Sequence, residues 1–310
     1  MPLNAAMGRT PATDRRGAGS GSRLLVVRNP AARRAERDLE PARCRLVDAG
    51  FELREIAPAR PADVATAVLD HRGRVDAVVV AGGDGSLNAA APGLVAAELP
   101  LGIIPLGTAN DLARTLAIPS DPAAAADVVV RGRTTALDLG SVNGRPFFNV
   151  ASIGLSAELA RTLTSAEKRR WGQLGYASAG LRVLARARPF HARITHAGVT
   201  EEVLTLQVAV GNGRHYGGGN IVAARAAIDD GRLDLYSLEF KNAWKLALML
   251  RAFRQGVHGA RREVRTMRGV AFDVATRRPR SVNADGELIT KTPAHFRVHP
   301  AALRVFVPPA

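Results

Sequence analysis

The sequence predicts an α/β domain with a parallel sheet and flanking helices, followed by an antiparallel β-sandwich with helical insertions. Its 310 residues, 46% of them hydrophobic, are enough for about two domains with cores of their own. The first half alternates short β-branched runs with Ala-rich helical stretches, the pattern of a parallel sheet. From about Thr134, short segments alternate apolar and polar residues between Gly-rich turns, which is typical of a sandwich.

The first domain is predicted to span residues 23–134, after a disordered leader at 1–22. The run Val78-Val79-Val80 is unbroken in its apolar character, as in a strand buried on both faces. Pro61 suits the first position of a helix, where its missing N–H costs nothing. Strands are predicted at 24–27, 51–56, 77–80 and 101–105, and helices at 33–49 and 61–71.

The second domain is predicted to span residues 135–310, with the last ten or so packing back on the first domain. Helical insertions are predicted at 157–187 and 242–255. The predicted strands lie at 137–142, 147–151, 192–195, 203–210, 233–238, 270–274, 295–298 and 303–307.

Positive charge is concentrated in two segments. The chain holds 43 basic and 28 acidic residues, which give a net charge of +15. Residues 161–196 and 251–280 together contribute +14 of this net charge. Such segments are typical either of an anionic partner, which could be nucleic acid, an anionic membrane or a phosphorylated ligand, or of an Arg-rich face exposed to solvent. Aromatic residues are only 5%, and no nucleic-acid-binding motif is evident, so nucleic acid is not expected.

The sequence also bears on location. No run approaches the roughly 18–20 apolar residues that a membrane-spanning helix needs. The single cysteine, Cys44, excludes an internal disulfide framework. A cytoplasmic protein is therefore expected.

A glycine-rich turn follows the strand at 77–80. Backbone N–H groups in such a turn, running into a helix, can approach phosphate oxygens closely, and Ser86 is expected to cap the helix. The carboxylate of Asp84 would repel phosphate unless a divalent cation lay between them, which indicates a nucleotide–Mg²⁺ complex. The alternative is a tight structural turn in which Asp84 caps backbone amides. The turn is Gly82-Gly83-Asp84-Gly85-Ser86-Leu87-Asn88.

A second turn repeats this order after the strand at 101–105. It contains Gly107, Thr108, Asn110 and Asp111. Because parallel strands end at the same edge of a sheet, both turns are expected at the edge where open α/β sheets bind ligands.

At these turns the sequence resembles the diacylglycerol kinase catalytic family, especially its bacterial soluble members, with sphingosine and ceramide kinases as relatives. The resemblance extends over about residues 23–308. The matching segments are Gly82–Ser86, Pro105–Ala113, Leu137–Gly140, Phe148–Gly154, Lys168–Tyr176, Gly211–Gly213, Ile228–Asp234 and Val282–Glu287.

The resemblance implies ATP- and Mg²⁺-dependent phosphorylation of a lipid hydroxyl in a cleft between the domains. Asp84, Asp111 and Asp138 would surround the nucleotide–Mg²⁺ region, and Asp285 or Glu287 would take the proton, with Asp84 as a competing base. A structural Mg²⁺ would be held by Asp230 and the carbonyls of Ala227 and Arg232. The implied nucleotide-binding residues are Gly82, Gly83, Asp84, Gly85, Ser86, Leu87, Asn88, Gly107, Thr108, Asn110 and Asp111.

Two other functions remain open. One is a kinase of a soluble substrate such as NAD or a sugar phosphate, whose families also use Gly-Gly-Asp-Gly turns. The other is a non-catalytic binder of anionic membrane or nucleic acid. Residues 163–189 place apolar side chains among basic ones, which favours peripheral contact with an anionic membrane or ordinary packing on the β domain. The sequence does not specify an oligomeric state, and a homodimer is one option.

Overall fold

The computed structural model describes residues 21–28, 35–162, 187–212, 215–216, 220–221, 228–240 and 263–309. The chain forms two compact units, Met1–Leu139 with Pro300–Ala310, and Gly140–His299. The helix predicted at 242–255 and most of the one predicted at 157–187 lie outside the described residues.

The first unit is built on parallel strands in the order β2-β1-β3-β4. All six residues of β3 are buried, as expected for a strand covered on both faces. The predicted parallel α/β domain is therefore confirmed. Its elements are β1 (Arg23–Arg28), α1 (Ala35–Asp48), β2 (Glu52–Ile56), α2 (Pro61–Leu69), β3 (Ala77–Gly82), α3 (Asp84–Ala97), β4 (Leu101–Pro105), α4 (Asp111–Thr115), α5 (Pro122–Val130) and the first part of β5 (Thr134–Val142).

The helices of this unit pack in two pairs, α1 with α5 and α2 with α3. The second pair is very close, because a Cβ at Gly93 of α3 would lie 2.3 Å from the carbonyl oxygen of Ala65 in α2. Asp121 is the N-cap residue of α5, and its side chain accepts a hydrogen bond from the N–H of Ala124 at 2.8 Å. Such a cap satisfies an N–H that the helix itself leaves unpaired.

The second unit contains two layers of mainly antiparallel strands. One is a six-stranded sheet in the order β14-β13-β10-β7-β16-β17, and the other includes β15, β8 and β9. The elements are β6 (Arg145–Phe147), β7 (Val150–Gly154), α6 (Leu155–Thr162), β8 (Phe190–His196), β9 (Val199–Thr205), β10 (Gln207–Gly211), β11 (His215–Tyr216), β12 (Asn220–Ile221), β13 (Leu233–Leu238), β14 (Val264–Gly269), β15 (Ala271–Thr276), β16 (Ser281–Ala284), β17 (Glu287–Lys291) and β18 (Ala294–Phe306).

Side chains of both layers form one apolar core. Ile153 and Val208 come from the six-stranded sheet, and Phe190, Phe272 and Phe296 come from the other layer. Alternation along the strands turns these residues inward, so the predicted β-sandwich is confirmed.

Four of the predicted strands have other bounds in the structure. The segments at 295–298 and 303–307 form one strand, β18, whose later part pairs with β4 in the first unit at Val305 and Leu101. The segment at 203–210 is instead two strands, β9 and β10. The segment at 147–151 contains the turn between β6 and β7.

Candidate functional site

The register of β3 and β4 brings the two predicted glycine turns together. Gly82, the last residue of β3, lies opposite Pro105, the last residue of β4. The N–H of Leu106 donates a hydrogen bond to the carbonyl oxygen of Gly82 at 3.0 Å. The turns are therefore neighbours at the carboxyl edge of the parallel sheet, where ligands bind in folds of this kind.

The backbones of the two turns touch at Gly83 and Gly107. A Cβ added to Gly107 would lie 2.5 Å from the Cα of Gly83, and one added to Gly83 would lie 3.0 Å from the Cα of Gly107. A contact as short as the one at Gly107 is not available to a residue with a side chain. Glycine at position 107 is therefore required by backbone packing, whatever ligand the turn holds.

Asp84 fastens the two turns together. It is the first residue of α3, and its two carboxylate oxygens accept hydrogen bonds from the N–H groups of Asp111 and Leu112, each at 3.2 Å. These are the first N–H groups of α4, which the helix leaves without internal partners. Asp84 thus caps backbone amides, as in the alternative role of a tight structural turn, and it lies beside the glycine turn.

Asn110 closes the second turn on itself. Its backbone is left-handed, with φ of 51°, a conformation that Asn tolerates better than most residues. Its Oδ1 accepts the N–H of Gly107 at 3.0 Å, and its Nδ2 donates to the carbonyl oxygen of Gly107 at 2.9 Å. The amide is engaged within the turn, so it shapes the turn in addition to any contact with nucleotide.

The expected cap by Ser86 was wrong. Helix α3 begins at Asp84, with Gly83 at the N-cap position, so Ser86 lies inside the first helical turn. The side chain of Leu87 is 2% exposed and belongs to the core, so only the backbone of this residue could contact a nucleotide. Asn88 has a buried Oδ1 with no hydrogen-bond partner among the described residues.

Two further carboxylates of the first unit are buried. Asp111, at the start of α4, is 7% exposed, and Asp138, in β5, is 3% exposed. Asp138 accepts a hydrogen bond from the N–H of Ala301 at 2.7 Å. Both residues belong to the set that the sequence resemblance placed around the nucleotide–Mg²⁺ region, and their contact with a cation stays a prediction.

Asp285 and Glu287, the residues expected to take the proton of the acceptor hydroxyl, lie in a tight turn of the second unit, here called the acceptor-side turn. Asp285, with φ of 45°, follows β16, and Glu287 begins β17 with an exposed side chain. The carboxylate of Asp285 accepts hydrogen bonds from the N–H groups of Phe148, Asn149 and Val150 at 2.7, 3.1 and 2.9 Å. Three N–H donors stabilise the charged carboxylate and fix its orientation.

The predicted structural Mg²⁺ residues are only partly described. Ala227 lies outside the described residues, while Asp230 accepts the N–H of Arg232 at 3.0 Å and pairs with the guanidinium of Arg268. Burial raises the pKa of nearby Asp234, an effect that Arg268 opposes and Asp230 reinforces. Asp230 is thus bound to Arg268, and a metal at this position stays a prediction.

Within the described ranges, no group of three or more His, Cys, Asp and Glu side chains is arranged to hold a metal ion. None of the described helices is long and apolar enough to cross a membrane. Most of the basic segment at 163–189 lies outside these ranges.

The fold and the paired turns define a class: two-unit proteins in which a parallel α/β unit carries glycine turns and an antiparallel β-sandwich follows. Residues 23–142 match the diacylglycerol kinase catalytic domain, and residues 149–307 match the YegS C-terminal NAD kinase beta sandwich-like domain. The chain belongs to the diacylglycerol kinase family and is a lipid kinase, as the sequence predicted.

Individual relatives agree with this assignment. A diacylglycerol kinase of Mycobacterium tuberculosis is 38% identical over 242 residues, which cover 75% of this chain and 77% of the relative. One of Staphylococcus aureus is 29% identical over 293 residues, 92% of both chains. A Bacillus anthracis crystal structure, provisionally assigned as a diacylglycerol kinase, superposes with a TM-score of 0.77 at 25% identity, covering 94% of this chain and 97% of that one.

Proposed function

We propose that this lipid kinase transfers the γ-phosphoryl group of ATP to the hydroxyl of diacylglycerol or a closely related lipid, giving a phospholipid and ADP. The observation that carries the proposal is the joined pair of glycine turns, held by Asp84, at the carboxyl edge of the parallel sheet. The relatives in Mycobacterium tuberculosis and Staphylococcus aureus, both named diacylglycerol kinases, support the choice of acceptor.

The proposal assigns the nucleotide phosphates to the first turn of α3 and the turn before α4. Helix N-termini present unpaired N–H groups and a positive dipole end, which favour anions. Helix α3 has 14 residues and starts directly after Gly83, so its N–H groups meet the glycine turn without an intervening loop. Thr108, exposed in the second turn, offers a hydroxyl to the same ligand.

In this proposal, one or two of the carboxylates Asp84, Asp111 and Asp138 would hold a nucleotide-bound Mg²⁺, because carboxylate oxygens are the donors this ion prefers. The buried Oδ1 of Asn88 is an oxygen without a described partner, and it fits such a site. Mg²⁺ is usually bound by one or two carboxylates together with substrate phosphates, so a complete protein cage is not required. When bound, the ion would neutralise phosphate charge during transfer.

The proton of the acceptor hydroxyl is assigned to a carboxylate of the turn at 285–287. Hydrogen bonds from three N–H groups fix the orientation of the Asp285 carboxylate, which suits the geometry of a base but also gives the side chain a structural role. Glu287 is exposed and occupies the first position of β17. Asp84 remains a third candidate, although both of its oxygens already accept N–H groups.

Isosteric amides separate the two acceptor-side candidates. Glu287→Gln is expected to leave stability close to wild type, because the side chain is exposed. Asp285→Asn is expected to destabilise, because one oxygen that accepts N–H groups becomes an NH₂ facing them. The variant that removes the base lowers kcat about 10²- to 10⁴-fold with the KM for ATP unchanged. Equal kcat in both variants and wild type would exclude this turn as the base.

We also propose transient contact with anionic membrane surfaces, since the acceptor is a lipid and the net charge of +15 is concentrated in two segments. Sedimentation with vesicles tests this. Binding to vesicles containing anionic lipid should exceed binding to neutral vesicles and weaken as salt is added. Equal binding to both kinds of vesicle would contradict it.

A further inference from the structure

Asn212 holds the two carbonyl groups of the turn that precedes β7. It follows β10 directly, and it is 2% exposed. Its side-chain Nδ2 donates a hydrogen bond to the carbonyl oxygen of Phe148 at 2.9 Å, and its backbone N–H donates to the carbonyl oxygen of Asn149 at 2.8 Å. Because the groups are buried, losing the Nδ2 donor would leave the Phe148 carbonyl without that partner.

The same turn is held on its N–H side by Asp285. The N–H groups of Phe148, Asn149 and Val150 all point to the Asp285 carboxylate, and the N–H of Asp285 donates back to the carbonyl oxygen of Val150 at 3.0 Å. Asn212 and Asp285 therefore both bind the backbone of the segment 148–150. Asn212 donates to its carbonyl groups, and the Asp285 carboxylate accepts from its N–H groups.

The sheet explains how residues so distant in sequence meet. Strand β7 lies between β10 and β16, with Val150 opposite Gly211 and Ala151 opposite Ala284. Asn212 directly follows β10 and Asp285 directly follows β16, so both residues lie at the start of β7. Asp285 has a left-handed backbone, a conformation that Asp adopts more readily than most residues and that suits a tight turn.

From this geometry we propose that Asn212 is a positioning residue for the acceptor-side turn at 285–287. The proposal rests on the proposed function, in which that turn supplies the base. Without the Nδ2 donor, the segment 148–150 shifts and the Asp285 carboxylate loses its alignment. The expected effect falls on kcat with lipid, because misplacing a reacting group by about 1 Å costs about 10²-fold. The nucleotide residues lie in the other unit, so the KM for ATP is expected to stay unchanged.

Asn212→Ala and Asn212→Asp are the test variants, since Asp keeps the size of the side chain but cannot donate when charged. Asn143→Ala is the matched control. Asn143 also organises backbone in the second unit, donating to the carbonyl oxygen of Pro293 at 3.0 Å and accepting the N–H of His295 at 2.8 Å. All three variants are expected to lower the melting temperature, and only the two at position 212 should lower kcat, by about 10²-fold.

Amide hydrogen exchange at Phe148, Asn149 and Val150 tests the proposal without an activity assay. These N–H groups should exchange slowly in the wild-type protein and faster in the Asn212 variants, but not in Asn143→Ala. This measurement remains decisive if no lipid is phosphorylated, and the wild-type exchange rates decide if the variants do not fold.

Three results would overturn the proposal. The first is unprotected amides at 148–150 in the wild-type protein. The second is unchanged exchange at these amides in the folded Asn212 variants. The third is a kcat in those variants that is unchanged, or that falls no more than in Asn143→Ala.

Discussion

The carboxylate of Asp84 accepts the first N–H groups of α4, so a substitution there alters structure and chemistry together. Asp84→Ala is expected to abolish turnover and to cost about 1 kcal/mol of stability, the usual loss when a helix cap is removed. Asp121→Ala removes the cap of α5 in the same unit and should cost about as much stability while retaining turnover.

Steady-state kinetics and urea unfolding of both variants measure this difference. Retained turnover in Asp84→Ala would remove Asp84 from the mechanism and leave it a purely structural cap. Loss of turnover in Asp121→Ala as well would mean that stability alone accounts for the effect.

His299 predicts a dependence of stability on pH. Burial lowers the pKa of its imidazole, whose Nε2 is 2.8 Å from the Oγ of Ser141. Below about pH 6.5, the usual value for His, the unfolded chain therefore binds more protons than the folded one. The free energy of unfolding should fall as pH drops from there through the lower folded pKa.

Urea unfolding between pH 5 and 8 measures this effect. In His299→Gln, which does not titrate, the decline should be shallower than in the wild-type protein. Parallel pH profiles for the two proteins would show that another group is responsible.

At the scale of elements, the contact between the turns after β3 and β4 is set by glycine. In Gly107→Ala, the new Cβ would clash with the backbone of Gly83, so the turns must separate. We expect ATP binding to weaken at least about 10-fold, the equivalent of 1.4 kcal/mol. Calorimetric titration with ATP and Mg²⁺ measures the loss.

Gly73→Ala is the control for this substitution. Gly73 has φ of 73° and no atom within 4 Å of an added Cβ, so the change strains the backbone without a clash. Stability should fall while ATP affinity is kept. ATP affinity at the wild-type level in Gly107→Ala would contradict the assigned role of the paired turns.

Elements with a local signal were predictable from sequence. The unbroken apolar run of β3 and the Pro61 start of α2 need no distant contact to be recognised. Strand β18 is different. His299-Pro300-Ala301 interrupts its alternation, and Ala301 has φ of 49°, so local pattern divides it into two. Pairing of Val305 with Leu101, about 200 residues earlier, is a tertiary contact that no local pattern contains.

For the candidate site, the approach of the two glycine turns was predictable, because neighbouring parallel strands end at the same edge of a sheet. The roles of these turns and of Asp285 came from the family resemblance and stay predictions. The hold of Asn212 and Asp285 on residues 148–150 was missed, and this segment was predicted as part of a strand. These hydrogen bonds join Phe148 to Asn212, 64 positions away, and to Asp285, 137 positions away. In the sequence, position 212 is marked only by the glycines on either side of it.

At the scale of the whole molecule, the proposed function divides the groups that phosphoryl transfer needs between the two units. In this proposal the N-terminus of α3 and the carboxylates of the first unit would bind a nucleotide with its cation, and a carboxylate of the turn at 285–287 would take the proton. Positioning and charge neutralisation dominate such reactions, so turns whose carboxylates are fixed by hydrogen bonds would suit the task.

The central claim is tested most directly by incubating the full chain with γ-labelled ATP, Mg²⁺ and diacylglycerol in mixed micelles, with NAD as a parallel acceptor. The account predicts labelled phospholipid from the wild-type protein, none from Asp84→Ala and little transfer to NAD. Label passing to NAD faster than to any lipid of a broad panel, or to no acceptor at all, would contradict it.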